Sequence, residues 1–251
     1  MIHLFINALA ASAGGGLTYL RNVIPHLAAR DDVSTTVLLS GRLRDEFSAS
    51  SRLSFLQADS SSGVASRFWF EQSAVRGFIK RSAADVLLST GNFAIWNSPV
   101  PQILLSRNSL YTSPRFDSDL RDRGEYRLWI DAHLKGFLAK RSISAADCTV
   151  APSEAFAEEL RQWTGREITA IHHGFDRQAF VSDTSPLPIA IREQLCSKPK
   201  AFRLLFVSHY NYYRNFETLF RAMPLIMRRI GSRSAVLFLT CKLVAGANPG
   251  D

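Results

Sequence analysis

Short unbroken apolar runs alternate along this chain with stretches whose apolar residues recur every three or four positions. MIHLFIN opens the chain, and VSTTVLLS follows at 33–40, DVLLST at 85–90, PQILLS at 101–106, CTVAPS at 148–153 and EITAIHHG at 167–174. Each reads as a strand buried on both faces, and a weaker strand is predicted at 52–56. Between them, Leu17, Leu20, Ile24, Leu27 and Ala28 share one helical face. WFEQSAVRGFIKRSA, a long stretch from Asp117 to Ala146, and EAFAEELRQW also read as helices. This alternation predicts an α/β fold: a Rossmann-like, doubly wound parallel sheet.

The texture changes after residue 181. Prolines at 186, 188 and 199 among small polar residues predict a linker with a short helix over 182–201. The pattern then restarts with FRLLFVSH, RNFETLFRAMPLIMRRIG and SAVLFLT, one βαβ unit. The predicted division is a Rossmann-like domain at 1–181, the linker at 182–201, and an incomplete second Rossmann-like domain at 202–251. SASSRLSFLQADSSSG reads as a serine-rich loop region.

Composition narrows the class only slightly. The 251 residues are 46% hydrophobic and 21% charged, as in an ordinary globular chain. Ala8-Leu9-Ala10 imitates a signal-peptide cleavage site, but no basic residue precedes the short apolar run, so that run reads as a first strand, with a secretory signal as the lesser alternative. Cys148, Cys196 and Cys241 are scattered and odd in number, which fits a reducing, cytoplasmic compartment. The net charge of +8 favours a polyanionic partner. The basic residues are scattered without interleaved aromatics, which argues against nucleic acid. The stretch from Asp117 to Ala146 combines many Lys and Arg with apolar residues, making an anionic membrane surface at the inner face a candidate partner.

Gly14, Gly15 and Gly16 are placed by this reading between the first strand and the first helix. There the backbone can cradle a phosphate or sugar hydroxyl, or simply turn tightly. GGGLTY lacks the third glycine of a dinucleotide fingerprint and the Gly-Lys-Ser/Thr of a Walker loop. His172 and His173 are adjacent on a predicted strand and would point to opposite faces, a poor metal pair. Gly174 is the expected turn. Asp117–Asp119 (DSD) imitates a metal-binding DxD motif but opens a helix, where Asp is an ordinary cap. No metal site is therefore assigned. His209 and Arg214 follow a strand and meet the start of a helix with the apolar face Phe216, Leu219, Phe220 and Met223. That position and the guanidinium both suit a diphosphate.

FVSHYNYYRNFETLFRA resembles the start of the donor-binding domain in GT-B glycosyltransferases of the family 4 (group 1) type. Arg214 falls on that family's Lys, Asn215 on the residue after it, His209 on its Arg and Ser208 on its Gly. HHGFDRQAF resembles the family's Asn-Gly-Val-Asp-x-x-x-Phe stretch through Gly174, Asp176 and Phe180, with His173 in place of Asn. CTVAPSEAFAEEL resembles the strand–Ser–helix before it, with Ser153 at the Ser position, and Gly14–Gly16 resemble the glycine-rich acceptor-side loop.

The resemblance implies a retaining glycosyltransferase of hexosyltransferase type, acting in glycan or polysaccharide biosynthesis. It would move a sugar from a nucleotide-sugar donor to a hydroxyl of a glycan or lipid-linked acceptor, with no metal or other cofactor. Arg214 and His209 would be catalytic, Ser208, Asn215 and Gly174 would bind donor, and Gly14, Gly15, Gly16, Arg107 and Asn108 would bind acceptor. Two departures stand out. Arg107 and Asn108 occupy the place of the family's His-Asp, and the Glu-x7-Glu stretch that would hold the donor sugar is expected beyond Asp251. A C-terminally truncated, donor-poor fragment is therefore expected. A sugar-nucleotide epimerase of related fold and a non-catalytic sugar-binding module are the alternatives.

Overall fold

A computed structural model of the chain describes residues 1–11, 14–58 and 64–246. Ser12 and Ala13 ahead of the glycines, 59–63 of the serine-rich stretch, and the expected chain end at Asp251 lie outside the described residues, as does the side chain of Phe180.

The elements follow the order β1 (Ile2–Asn7), α1 (Gly14–Ala28), β2 (Val33–Leu39), β3 (Leu53–Gln57), α2 (Val64–Arg81), β4 (Val86–Ser89), β5 (Gln102–Leu105), α3 (Pro114–Asp122), α4 (Tyr126–Ala145), β6 (Cys148–Ala151), α5 (Glu154–Thr164), β7 (Thr169–Ala170), α6 (Arg177–Ser182), α7 (Ile189–Cys196), β8 (Phe202–Phe206), α8 (Phe216–Ile230) and β9 (Ala235–Leu239). Seven strands form one sheet in the order β3-β2-β1-β4-β5-β6-β7, and every pairing in it is parallel. β8 and β9 form a separate parallel pair. Residues Met1–Asp117 and Tyr126–Arg177 make one compact unit, and Ser118–Glu125 with Gln178–Asp251 make another.

Strand alternation divides the core of the first unit. Ile6, Val37 and Leu39 pack with Leu20 and Ile24 of α1, whereas Phe5, Leu38 and Leu87 pack with Val75 and Ile79 of α2. Both faces are covered, so the strands can be apolar without a break. A third cluster joins Leu104 and Ala151 to Ile143 of α4 and to Phe156 and Leu160 of α5. Ser153 caps α5 by accepting from Phe156 N at 3.3 Å, and Gly165 ends it in the left-handed region at φ 67°. In the second unit, Phe216 of α8 is buried against Phe206 and Tyr210, with ring centroids 5.1 Å apart in each pair.

Three sequence expectations are corrected. The glycines do not lie between strand and helix; they form the first turn of α1. The helix expected from Asp117 to Ala146 is two helices. Gly124, at φ 71°, ends α3: its N–H reaches Arg121 O and that of Glu125 reaches Leu120 O, both at 2.9 Å. That paired pattern is a Schellman stop, and its left-handed residue favours glycine. The strand expected at 167–174 pairs only at Thr169 and Ala170, so His172 and His173 stand in the loop beyond it.

Two glutamines, buried Gln102 and half-buried Gln72, fix the path between β4 and β5. Gln102 accepts from Ser89 Oγ (3.0 Å) and Ile95 N (2.8 Å) and donates to Ile95 O (3.1 Å). Gln72 of α2 donates to Ala94 O (2.8 Å) and accepts from Trp96 N (3.0 Å). Ala94 O, both main-chain groups of Ile95 and Trp96 N are thus satisfied without solvent.

Glu71 of α2 is also buried, hydrogen-bonded to Asn7 at the end of β1, with Arg67 Nε 3.5 Å from its Oε1. Burial outweighs the Arg67 charge and pushes its carboxyl from 4.5 up to about 7. A raised acid pKa means the folded state holds its proton where the unfolded chain has lost it. Stability should therefore fall as pH rises from about 4.5 through about 7 and then level off. The shift corresponds to about 3 kcal/mol as an upper figure. Glu71→Gln is expected to flatten this fall and to raise urea stability at pH 8 by roughly 1–3 kcal/mol, with little change at pH 5. Parallel pH profiles of the two proteins would remove Glu71 as the cause.

Candidate active site

Strand order reverses at β1: the chain leaves β1 for β2 and β3 on one side, then crosses back to β4 and continues to β7 on the other. Open parallel sheets offer a crevice at the carboxyl ends of such strands. Four segments of the first unit meet there: the residues after β1, the first turn of α1, the loop after β5 and the loop after β7. Arg107, after β5, donates from its backbone N to Asn92 Oδ1 at 2.8 Å, and Asn92 itself has φ 65°. Its guanidinium Nη1 reaches Gly15 O at 3.4 Å and its Cζ lies 6.0 Å from the Tyr19 ring centroid. Tyr19 in turn meets His173, with ring centroids 5.1 Å apart.

The glycines now separate by role. A Cβ on Gly16 would come within 2.9 Å of both Ala11 Cα and Arg107 Nη2. Gly14 and Gly15 have no such neighbour within 4 Å, although Gly14 sits at φ 58°. What comes close to this backbone is therefore the protein itself: the Ala11 main chain and the Arg107 guanidinium.

Beside this group lies a cavity of about 730 Å³. Gly15, Tyr19 and Asn22 line one side, and His172, His173 and Gly174 another. That volume accommodates a small organic ligand. Burial pulls the Arg107 pKa below its usual value, with Tyr19 opposing, and an arginine remains cationic in any ordinary buffer. Burial raises the Tyr19 phenol, with Arg107 opposing. Burial, then the Arg107 charge, lowers His173, so its imidazole is neutral at pH 7. The arrangement presents one fixed cation, one neutral imidazole and one protonated phenol: an anchor for an anion or sugar oxygen, and a group able to accept a proton.

The residues singled out in sequence fall into two sets. Gly15, Gly16, Arg107 and Gly174 are brought together in the first unit, so Gly174, expected among the donor-binding residues, lies with those expected to bind acceptor. Asn108 accepts from Leu110 N at 3.2 Å and caps the short 3-10 turn Ser109–Tyr111. In the second unit Ser208 and His209 follow β8. Ser208 N donates to Thr240 Oγ1 at 3.1 Å, and Ser208 Oγ to His209 O at 3.0 Å. Arg214 ends the 3-10 turn Tyr212–Arg214 and lies over the Tyr213 ring at 5.2 Å. Asn215, left-handed at φ 52°, is the N-cap of α8, accepting from Thr218 N at 3.2 Å. Asp117 accepts from Trp129 Nε1 at 2.7 Å, and Asp119 pairs with Arg123 at 3.0 Å.

Tyr19 and His173 escaped the sequence reading as partners of Arg107. The signal was present: Tyr19 is out of phase with the apolar stripe through Leu20 and Ile24, and His173 is the polar substitution in the HHG turn.

The sequence model for Glycosyltransferase Family 4 matches residues 13–179. The chain belongs to this family. Among solved structures, this family 4 chain is similar to S. aureus MnaA in complex with UDP (10% identity, TM-score 0.59, covering 98% of this chain and 63% of that one). It is also similar to Anabaena HepE in complex with UDP and glucose (16%, 0.57, 95% and 60%). A third likeness is to the UDP-GlcNAc 2-epimerase of Neisseria meningitidis bound to UDP-GlcNAc (11%, 0.54, 97% and 66%). At these identities the likeness establishes the fold alone, Rossmann-like and of the GT-B class. The chain spans about 60–66% of the length of these structures. No match appears among curated proteins.

The contacts at Gly16 give a direct test. Gly16→Val must displace the Ala11 backbone as well as Arg107, and overpacking of this kind costs about 1–3 kcal/mol. Gly15→Ala meets nothing and removes a helix-disfavouring glycine, so its effect should lie between neutral and about 1 kcal/mol stabilising. Thermal denaturation of both variants checks this. A Gly16→Val protein melting with the wild type would mean that the Ala11 segment yields freely.

Proposed function

We propose that this chain carries the acceptor-side unit and the beginning of the donor-side unit of a retaining glycosyltransferase. The substrates would be a nucleotide sugar and a hydroxyl on a glycan or lipid-linked acceptor, in glycan or polysaccharide biosynthesis. The observation that carries the reading is the family 4 match over residues 13–179. The geometry of the crevice is compatible with it. Gly15 and the Arg107–Tyr19–His173 group would orient the acceptor, with neutral His173 within reach of a hydroxyl proton in that cavity.

In the second unit, Arg214 stands just before the N-terminus of the 15-residue helix α8. A cation and a helix N-terminus both favour a diphosphate leaving group. Arg214 and His209 would stabilise the charge that builds as the glycosidic bond breaks, with Ser208 and Asn215 shaping the loop. The reading assigns no metal to the reaction; the DxD-like carboxylates Asp117 and Asp119 lie within α3, bonded to Trp129 and Arg123.

An epimerase is the second reading, favoured by the likeness to the UDP-GlcNAc 2-epimerase structure. Product analysis with UDP-sugars and a hydroxyl acceptor separates the two. Transferred sugar supports the glycosyltransferase; a 2-epimer with no acceptor consumed supports the epimerase; binding without turnover supports a non-catalytic module.

Arg214 is the sharper test. If it meets the diphosphate as charge develops, Arg214→Ala should lower kcat about 10²–10³-fold, by analogy with loss of one oxyanion-stabilising donor. Arg214→Lys should retain part of the rate, since it keeps the charge but loses the fork. Nucleoside diphosphate affinity should fall in the Ala variant while nucleoside affinity stays the same. Unchanged kcat and diphosphate affinity in a folded Ala variant would take Arg214 out of the site.

A further inference from the structure

Helix α4 buries Gly136, Ala139, Ser142 and Ile143. Helical spacing puts Tyr126, Ile130, Leu134 and Phe137 on the opposite side, and all four are 58–65% exposed. Trp69 of α2 is 68% exposed. Leu134 and Trp69 share the rim of a second cavity, of about 230 Å³, set between α2 and α4. Ala65, Phe68, Phe93, Trp96 and Leu138 supply most of its wall, with Phe68 packed edge-on against Phe93 and Trp96, and the paired Asp131 and Lys135 also line it. Trp96 carries a buried indole N–H with no acceptor among the described residues, whereas a buried tryptophan N–H ordinarily has one. A helix that shows water its large apolar residues has an unpartnered face.

Charge says what that face meets. Arg67, Arg76, Lys80 and Arg81 on α2, with Arg127, Lys135, Lys140 and Arg141 on α4, stand against only Glu71, which is buried, and Asp131. These two helices therefore hold most of the chain's positive excess. Arg127 and Arg141 follow the apolar stripe at helical spacing, and Arg141 lies 5.6 Å from the Trp96 ring of the cavity wall. Apolar and aromatic residues flanked by cations match the boundary between acyl chains and anionic headgroups. No helix among the described residues is long and apolar enough to cross a membrane.

We propose that the α2–α4 face docks this chain on an anionic lipid bilayer. Trp69, Ile130, Leu134 and Phe137 enter the interface, and the cavity between the helices receives a segment of acyl chain. The cations hold the phosphate headgroups, and a lipid ester oxygen can serve the Trp96 N–H. The proposal goes beyond the glycosyltransferase reading and stands on different residues.

The test is co-sedimentation of the 251-residue chain with vesicles of phosphatidylcholine alone or with one-third phosphatidylglycerol. Binding is expected only to the anionic vesicles, weakening as salt rises. Leu134→Glu/Phe137→Glu should weaken it at least tenfold with an unchanged melting temperature, because both positions are exposed. Leu134→Ala/Phe137→Ala, which adds no acid, should weaken it several-fold. Tryptophan emission should shift to the blue on binding, and that shift should shrink in Trp69→Phe. Four results would overturn the proposal: no sedimentation with anionic vesicles, equal binding to neutral ones, indifference to the Ala pair, or a dimer in solution that the Glu pair dissociates. Binding to a DNA oligonucleotide as tight as that to vesicles, and insensitive to both pairs, would assign the charge to nucleic acid instead.

Discussion

Thr90 donates twice to the carbonyl oxygen of Asn7, from its backbone N at 3.2 Å and from Oγ1 at 3.0 Å. These bonds close the sheet where its strand order reverses, and the features of the first unit are arranged around that point. On one side, α1 begins against the Ala11 main chain. On the other, the Asn92 turn holds the backbone of Arg107. Asn7 itself turns its side chain to Leu9 N and to Glu71, so the end of β1 is polar although wholly buried. A crevice of this kind follows from parallel topology: the connection after β1 leads to β2 on one side and that after β4 to β5 on the other, so the segments leaving these two neighbouring strand ends diverge.

The two glutamines show how such a sheet supports an irregular path. Between β4 and β5 the chain cannot pair with a strand, yet Ala94 and Ile95 are fully buried. Unpaired, their carbonyl and N–H groups would cost the desolvation of each. Gln102 and Gln72 supply side-chain amides at the required positions, one from the sheet and one from α2. The same clamps set Phe93 and Trp96 against Phe68, so the aromatic cavity between α2 and α4 is held by hydrogen bonds that originate inside the sheet.

The fold was legible in the sequence because its signals are local. Apolar strands covered on both faces read as unbroken runs, and the periodic stripe of α1 was visible in Leu20 and Ile24. The break at Gly124 was missed because one glycine in a polar stretch has the same composition whether it lies within a helix or stops it; only its left-handed φ decides. The site was legible in part. Gly15, Gly16 and Arg107 could each be named, yet their meeting spans more than ninety residues, and no spacing rule reports that. Gly16 is the instructive case: the question of what approaches its backbone was answered by Ala11, a few residues away, and by Arg107. Tyr19 and His173 each carried a local signal, but their meeting was not readable for the same reason, since their ring contact joins the first helix to the last strand loop of the unit.

The pairing of β1 also governs when the chain can take shape. Ile2 lies opposite Val33, and on its other edge Leu4 lies opposite Val86, 82 residues later. Loops of that length must close before either pairing is rewarded, which slows the formation of parallel sheets. A nascent chain emerges from its first residue onward. Until β4 has been made, the free edge of β1 displays Leu4, Phe5 and Ile6 with unpaired main-chain groups, a template for pairing with another chain. The strand that organises the finished molecule is therefore an open pairing edge in the unfinished one.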